Sequence, residues 1–402
     1  MRLPTALPSH THPYIRPVAA GLAVALAAAG AALTVPRPGP ARFEPPVRSA
    51  PVSVAPQLRG KPALAATDGF LPRVAPSAHA VNLLALANGD VLASWFAGSK
   101  EGAPDVAIYL ARWHAAGTGH HGGLWSEPRA VATRAATQAA TGRYVRKLGN
   151  AVLGQDPEGR LHLWFVSVAF GGWAGSSINQ QVSDDDGRTW TPAQRLVTSP
   201  FLNISTLVRT PPLWPELGGG AGLPVYHEFI AKHGEWLRLD DDGRVLDKAR
   251  LPQPRRALQP AVAALDDGDL LALLRDAGPG PGRVLAATSA DGGASWRPAE
   301  PLPVANPNAA VALLRLADGR LLLACNPIAG GRNRLALWLS EDQGDNWYEA
   351  RVLEESNDGE DEFSYPALAQ DRAGRVHVAY TWKRETIRHR VLTPDTLQEV
   401  RR

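Results

Sequence analysis

Apolar and polar positions recur in one arrangement along this chain. A glycine turn precedes an apolar, β-rich run in "NGDVLASW", "EGRLHLWF", "DGDLLALL", "DGRLLLAC" and "AGRVHVAY". The glycines are Gly89, Gly159, Gly268, Gly319 and Gly374, and Gly222 of "GLPVYHEF" fills the one double-length gap. A residue free to take positive φ, set before a short apolar run, predicts a β-hairpin. Helical periodicity is hard to find from about residue 60 to 395.

A second motif keeps the same beat. "SDDDGRTW" (Ser183–Trp190), "SADGGASW" (Ser289–Trp296) and "SEDQGDNW" (Ser340–Trp347) share Ser-x-Asp-x-Gly-x-x-Trp. "LDDDGRVL" (Leu239–Leu246) keeps the Asp and Gly midway along the long gap. The Asp accepts backbone N–H bonds, the Gly permits a left-handed turn, and the Trp anchors it by burying its ring. A period of roughly 50 residues is the signature of a stacked or circular array. Each unit reads as a hairpin, an outer hairpin closed by the Asp turn, and an extended link. Six units predict an all-β chain folded as a six-bladed β-propeller, with strand material before residue 80 completing the last blade. The Asp turns are then clasps on the blade rims rather than chemistry.

Residues 66–402 account for this single propeller and leave no room for a second large domain. The net charge of +3 is small for 402 residues, and the arginines are scattered, which speaks against a nucleic-acid partner. Cys325 is the only cysteine, so no internal disulfide forms, and its apolar run "RLLLACNP" reads as a buried thiol. The segment Val18–Val35 is uncharged and follows Arg2 and Arg16. It predicts export, with residues 1–40 as a signal peptide (Ala27 and Ala29 suit a signal peptidase) or as a membrane anchor. Residues 41–65 read as a Pro-rich linker, and the propeller is expected in the periplasm or outside the cell.

The first strand of each propeller blade lines the central channel. Counting back from the repeat glycines reaches His79, Asn150, Gln259, Ala309 beside Asn308, and Tyr365. Counting forward reaches Phe96, Val166, Phe229 after His227 and Glu228, Arg275, Asn326 and Thr381. Polar groups from different blades therefore converge on one mouth, the arrangement of a ligand site.

The Asp turns, together with "SAHAVNLLALANGDVLASWFAGSKEGAPDVAIYLAR" and "EFSYPALAQDRAGRVHVAYTWKRETIRHRVL", make the chain resemble the sialidase superfamily. It looks most like the bacterial BNR-repeat "predicted neuraminidase" group. The resemblance implies a glycoside hydrolase acting on a carboxylated sugar, sialic or uronic acid, in glycans or exopolysaccharide, with no cofactor and no metal. That family grips the sugar carboxylate with arginines, whose planar fork bonds it bidentately. It uses a Tyr nucleophile, since a neutral phenol approaches an anionic anomeric centre that repels a carboxylate. Tyr365 of "FSYPA" matches the nucleophile, Arg275 the second arginine, and Arg332 the third, with Arg334 as its understudy. Asp105 of "EGAPDV" matches the acid, with Glu101 as rival.

Two departures stand out. "HAV" puts His79 where the family's first arginine belongs, and Gln259 stands where a glutamate should activate the tyrosine. Glu228 or His79 would then have to poise Tyr365. A uronate lyase, with Arg275, Arg332, His79 and Tyr365 neutralising the acid and moving protons, is one alternative. A non-catalytic carbohydrate-binding propeller is another. Three motifs remain. "TWKRETIRHR" brings Arg384 near the mouth, "TGHHGG" reads as a loop, and "ESNDGEDE" reads as a solvated acidic loop in which Glu362 stands close to Tyr365.

Overall fold

A computed structural model describes residues 67–115, 123–199, 203–215, 220–253, 255–393, 396 and 397. The export segment, the Pro-rich linker and all but the last residue of "TGHHGG" lie outside the described residues. Among the described residues no helix is long and apolar enough to cross a membrane.

Six antiparallel sheets form the six blades of a propeller. Their inner strands begin at Ser77, Lys147, Thr206, Ala257, Ala312 and Phe363 and pack against one another around the axis. The last blade is built from both ends of the chain, as the sequence pattern predicts. Thr67–Phe70 pairs antiparallel with Thr386–Leu392 as its outermost strand. That pairing removes the free edge an open ring would leave. One eight-residue helix, Arg134–Thr141, links the first two blades, between an N-cap at Thr133 and a left-handed Gly142.

The Asp turns close the third strand onto the fourth in blades 2, 4 and 5. In the first, Asp185 accepts from Ser183 Oγ at 2.8 Å, from Thr189 N at 2.8 Å and from Thr189 Oγ1 at 2.6 Å. Asp291 and Asp342 repeat this pattern with Ser295 and Asn346. Each turn glycine rests on the preceding blade: Gly187 near Leu110, Gly293 on Trp236, and Gly344 on Leu271. The clasp is therefore also an interblade contact.

One glycine needs reassignment. Gly222 lies inside the second strand of blade 3, opposite Arg238, and the left-handed turn residue is Gly220. Gly222 is required for another reason: a Cβ there would fall 1.8 Å from the ring of buried Trp236.

A buried relay fastens the last blade to the first. The Trp125 indole donates to His389 Nδ1 at 3.3 Å, His389 Nε2 meets His377 Nδ1 at 3.0 Å, and His377 Nε2 meets Asp371 Oδ2 at 3.2 Å. An indole N–H only donates, so every proton in this chain is assigned and both imidazoles are neutral. Blade 2 carries the same "D-x-x-x-R-x-H" device, in which Gln180 takes the place of His389 and bonds His162 Nδ1 at 3.1 Å.

Burial holds both His377 and His389 below the ordinary imidazole pKa. Such a group contributes its full stability above the unfolded value of about 6.5 and loses it as pH falls below that. His389→Gln keeps a donor to His377, as Gln180 does for His162, while removing one titrating ring. Thermal unfolding of the variant is expected to fall less steeply than wild type from about pH 6.5 to 5. Parallel curves would show that the relay does not set the acid limit.

Candidate functional site

One local device points side chains at the channel mouth. In five blades the residue at the start of the inner strand is non-glycine and left-handed: Ala80 (φ 56), Ser205 (φ 62), Gln259 (φ 53), Asn308 (φ 57) and Tyr365 (φ 52). The ladders slip at the same places, between His79 and Asn82, Leu258 and Ala261, and Ser364 and Ala367. In blade 2 the slip falls at Asn150. A bulge of this kind re-aims a side chain that regular pleating would send elsewhere. Left-handed non-glycine backbone costs on the order of 1–3 kcal/mol and concentrates at functional sites.

The resulting cleft of about 230 Å³ is lined by Glu101, Asn150, Trp173, Tyr226, Glu228, Lys232, Leu258, Gln259, Arg275, Arg332, Tyr365 and Arg384. Arg275 is central. It donates to Asn308 Oδ1 at 2.6 Å, to Gln259 Oε1 at 3.1 Å and to the Tyr365 hydroxyl at 3.4 Å. All three partners are neutral, so its positive charge is uncompensated by any contact. Asn308 itself stays outside the lining and acts as a brace, its carbonyl also accepting from Arg332 Nη2 at 3.0 Å.

The other two arginines are held by acids. Glu362 accepts from Arg332 at 2.9 Å, from Arg384 at 2.5 Å and from Ser364 Oγ at 2.5 Å. Burial opposes its charge, but the bonds from Arg384 and Ser364 and the charge of Arg332 outweigh that and hold the carboxyl at about 2. Arg384 also meets Glu101 at 2.6 Å, bridging blade 6 to blade 1. Glu228 has no ion-pair or side-chain hydrogen-bond partner among the described residues, and its backbone N–H is held by Ser205 Oγ at 2.8 Å.

His79 differs from its expected place. The left-handed residue of blade 1 is Ala80, and His79 turns inward, 2% exposed, beneath Tyr365 at 4.3 Å between ring centroids. Neither ring nitrogen has a partner among the described residues. Burial, helped by the charge of Arg384, lowers its pKa to about 3, so it is a neutral floor under the phenol ring. The rings are tilted by 56° and neither nitrogen bonds the hydroxyl, which removes His79 as a base for Tyr365.

Three further expectations are corrected. Asp105 does not line the cleft; its oxygens accept from Ser99 N and Oγ, both at 2.9 Å, folding the loop that carries Glu101. Asn326 is fully buried and donates to the carbonyls of Arg334 and Phe363 at 2.6 and 2.8 Å, so it braces a loop. Arg334 points to Glu349 and Glu355, leaving Arg332 as the arginine of this blade in the cleft.

Several site residues escaped the sequence reading. Tyr226 joins Asn150 and Gln259 through its hydroxyl, at 3.1 and 3.4 Å, and burial pushes that hydroxyl well above the usual phenol range. Arg209 is 2% exposed, with its guanidinium 5.3 Å from the Tyr365 ring centre and bonded to the Pro366 carbonyl. Burial pulls it down to about 10. Both lie outside the glycine counts that located the other groups. Trp173 had no signal, since it stands on a short 3₁₀ turn, Trp173–Gly175, between strands.

The ring, the Asp clasps on three rims and the polar mouth define a six-bladed β-propeller with a candidate ligand cleft. The BNR repeat-like domain matches residues 89–378, well over half of the chain, and the chain belongs to that family. No curated protein matches it by sequence. Among solved structures it is similar to a Hadza microbial sialidase (TM-score 0.65, 16% identity, 80% of this chain and 66% of that one). A leech intramolecular trans-sialidase complexed with 2,7-anhydro-Neu5Ac is similar as well (0.61, 15%, 81% and 69%). So is an α-L-arabinanase from Penicillium chrysogenum (0.59, 16%, 81% and 98%). The chain spans about two thirds of the length of these two sialidases. At such identities the likeness speaks to the fold alone.

Glu362 yields a prediction by sign. Its folded pKa lies below the ordinary glutamate value of 4.5, so its stabilisation is present above that pH and lost as pH falls toward about 2. Glu362→Gln is therefore expected to lower the melting temperature at pH 7 by several degrees. The gap from wild type should narrow between pH 4.5 and 2. A gap that stays constant with pH would mean that the carboxylate charge does not hold the two arginines.

Proposed function

We propose that this chain is a sialidase-like glycoside hydrolase acting on a carboxylated sugar, sialic or uronic acid. The observation that carries the reading is Arg275, which has only neutral partners and stands within 3.4 Å of the Tyr365 hydroxyl. An uncompensated guanidinium in a cleft favours an anion, and its fork suits a carboxylate. The same donor stabilises negative charge developing on the phenol oxygen.

In this mechanism Arg275 seats the sugar carboxylate and so fixes the anomeric carbon against Tyr365. The phenol oxygen bonds to that carbon as the glycosidic C–O bond breaks. Glu228, the cleft carboxylate without a cationic partner, takes the phenol proton. Glu101, ion-paired with Arg384, holds that arginine in the cleft, and the proton that Glu228 takes from the phenol passes through water to the leaving oxygen. Water then attacks the glycosyl–tyrosine bond, the two displacements giving net retention. Gln259 takes no proton, and with Asn150 it fixes Tyr226 instead.

Gln259 also favours a second reading. Beside Arg275 its amide would help neutralise a uronate carboxylate, and Tyr365 would remove the acidic C–H in a β-elimination, making a lyase.

Fluorogenic sialosides and uronosides, run beside uronate polysaccharides, separate the two. Released fluorophore is expected, whereas near-ultraviolet absorbance from an unsaturated uronate would replace the hydrolase with the lyase. Arg275→Ala should weaken binding of an acidic sugar by about ten- to a hundredfold, from loss of a charged hydrogen bond of roughly 1.5–3 kcal/mol. Asp291→Ala should lower the melting temperature and leave affinity per folded molecule unchanged. Equal binding of the acidic sugar and its neutral reduced analogue by wild type would end the carboxylate reading.

A further inference from the structure

A second cavity of about 470 Å³ adjoins the mouth and shares Glu101, Trp173 and Arg384 with it as a common wall. The mouth alone, about 230 Å³, is smaller than the roughly 300–1,000 Å³ usual for a small-ligand site. The second cavity adds Lys100 and Lys147 to its lining. We propose that it is a second anion subsite, so that the preferred substrate is a glycan bearing acid groups on two consecutive sugars. This rests on Arg275 as the anchor for the first carboxylate.

Charge is the first argument. Neither Lys100 nor Lys147 pairs with a carboxylate among the described residues, whereas Glu101 is already engaged by Arg384. The cavity therefore presents two ammonium groups with no carboxylate in ion-pair contact among the described residues, Glu101 acting on Lys147 only at longer range. Lys147 is only half exposed, and burial lowers the pKa of its amine. An arriving anion offsets that desolvation, which a neutral sugar cannot do.

Shape is the second. Gly149 lies against the Trp173 ring so closely that a Cβ there would fall 2.6 Å from it, and Lys147 Nζ stands 3.8 Å from the ring centre. The Trp173 ring so held, with the Lys147 ammonium over one face, is a wall common to both cavities, where consecutive sugars of one glycan would adjoin. On the other side, Lys100 sits on the loop whose fold depends on Asp105: its carbonyl accepts from Ala103 N at 3.1 Å, and Asp105 holds Ser99. Asp105 thus acts as a positioning residue for this wall.

Calorimetry on the folded chain tests it with five probes: a uronate monosaccharide glycoside, its reduced neutral analogue, a diuronate, and the two disaccharides in which one unit is neutral. An α-linked disialoside runs in parallel to tell sialic from uronic acid. The diacid of the preferred series should bind about tenfold or more tighter than either mixed disaccharide, an advantage that shrinks as salt rises. In Lys100→Met/Lys147→Met the ratio of diacid to mixed affinity should drop to near one, with the melting temperature reporting that the variant is folded. If wild type prefers the single acid to its neutral analogue but binds diacid and mixed disaccharides equally, the second subsite is overturned and the first stands. If it binds acid and neutral monosaccharides equally, the anchor itself falls, and this proposal with it.

Discussion

Closure of the ring between its last and first blades is the constraint on which the site depends. The final sheet is completed by Thr67–Phe70, about three hundred residues earlier in the chain than its partner strand. Asp68 pairs with Arg388 at 2.6 Å and approaches Arg390, and Arg388 in turn reaches Glu354. Deeper in the seam the neutral histidine relay joins Asp371 to Trp125. At the mouth the same seam is crossed by Arg384 to Glu101, by Ala80 N to Thr381 Oγ1 at 3.1 Å, and by His79 beneath Tyr365. Opening the ring there would separate the tyrosine from its floor and Arg384 from one of its two acids.

The mouth is a place where cations are crowded and unequally compensated. Arg332 and Arg384 share Glu362, and buried Arg209 meets, among the described residues, the Pro366 carbonyl and the neighbouring aromatic ring. Arg275 alone among the arginines lining the cleft faces neutral partners. A neutral His79 suits this setting, because a protonated imidazole would add charge to a buried space already flanked by guanidinium groups. The unsatisfied ring nitrogens are the cost of placing it there.

Sialidase-like architecture is compatible with several chemistries, and what differs here lies in a few side chains. His79 forms a neutral floor, and Arg384 brings a charge into the cleft from the adjacent side of the seam. Gln259 is an amide that bridges Arg275 and Tyr226. Both side chains keep the cleft polar, and Glu228 is the cleft carboxylate left without a cationic partner among the described residues.

Local pattern was enough to read the six units, the Asp clasps and the closing strand, because each depends on a turn residue and a short apolar run close together in sequence. It also led to Gln259, Arg275 and Tyr365, because repeat spacing carries position along a strand, whereas Arg332 came from the family resemblance. Spacing does not carry the side of the strand. The bulge at each inner strand decides that, and a one-residue difference sends Ala80 to the left-handed position and His79 under the phenol. Asn326 and Asp105 look like ligand groups in sequence, but loops that fold back onto them engage the Asn326 amide N–H group and the Asp105 carboxylate. Glu362, Arg209 and Tyr226 matter through partners on other blades, up to about 150 residues away in the chain. Such contacts leave no local periodicity, so only closure of the ring, which brings separate blades to one axis, determines them.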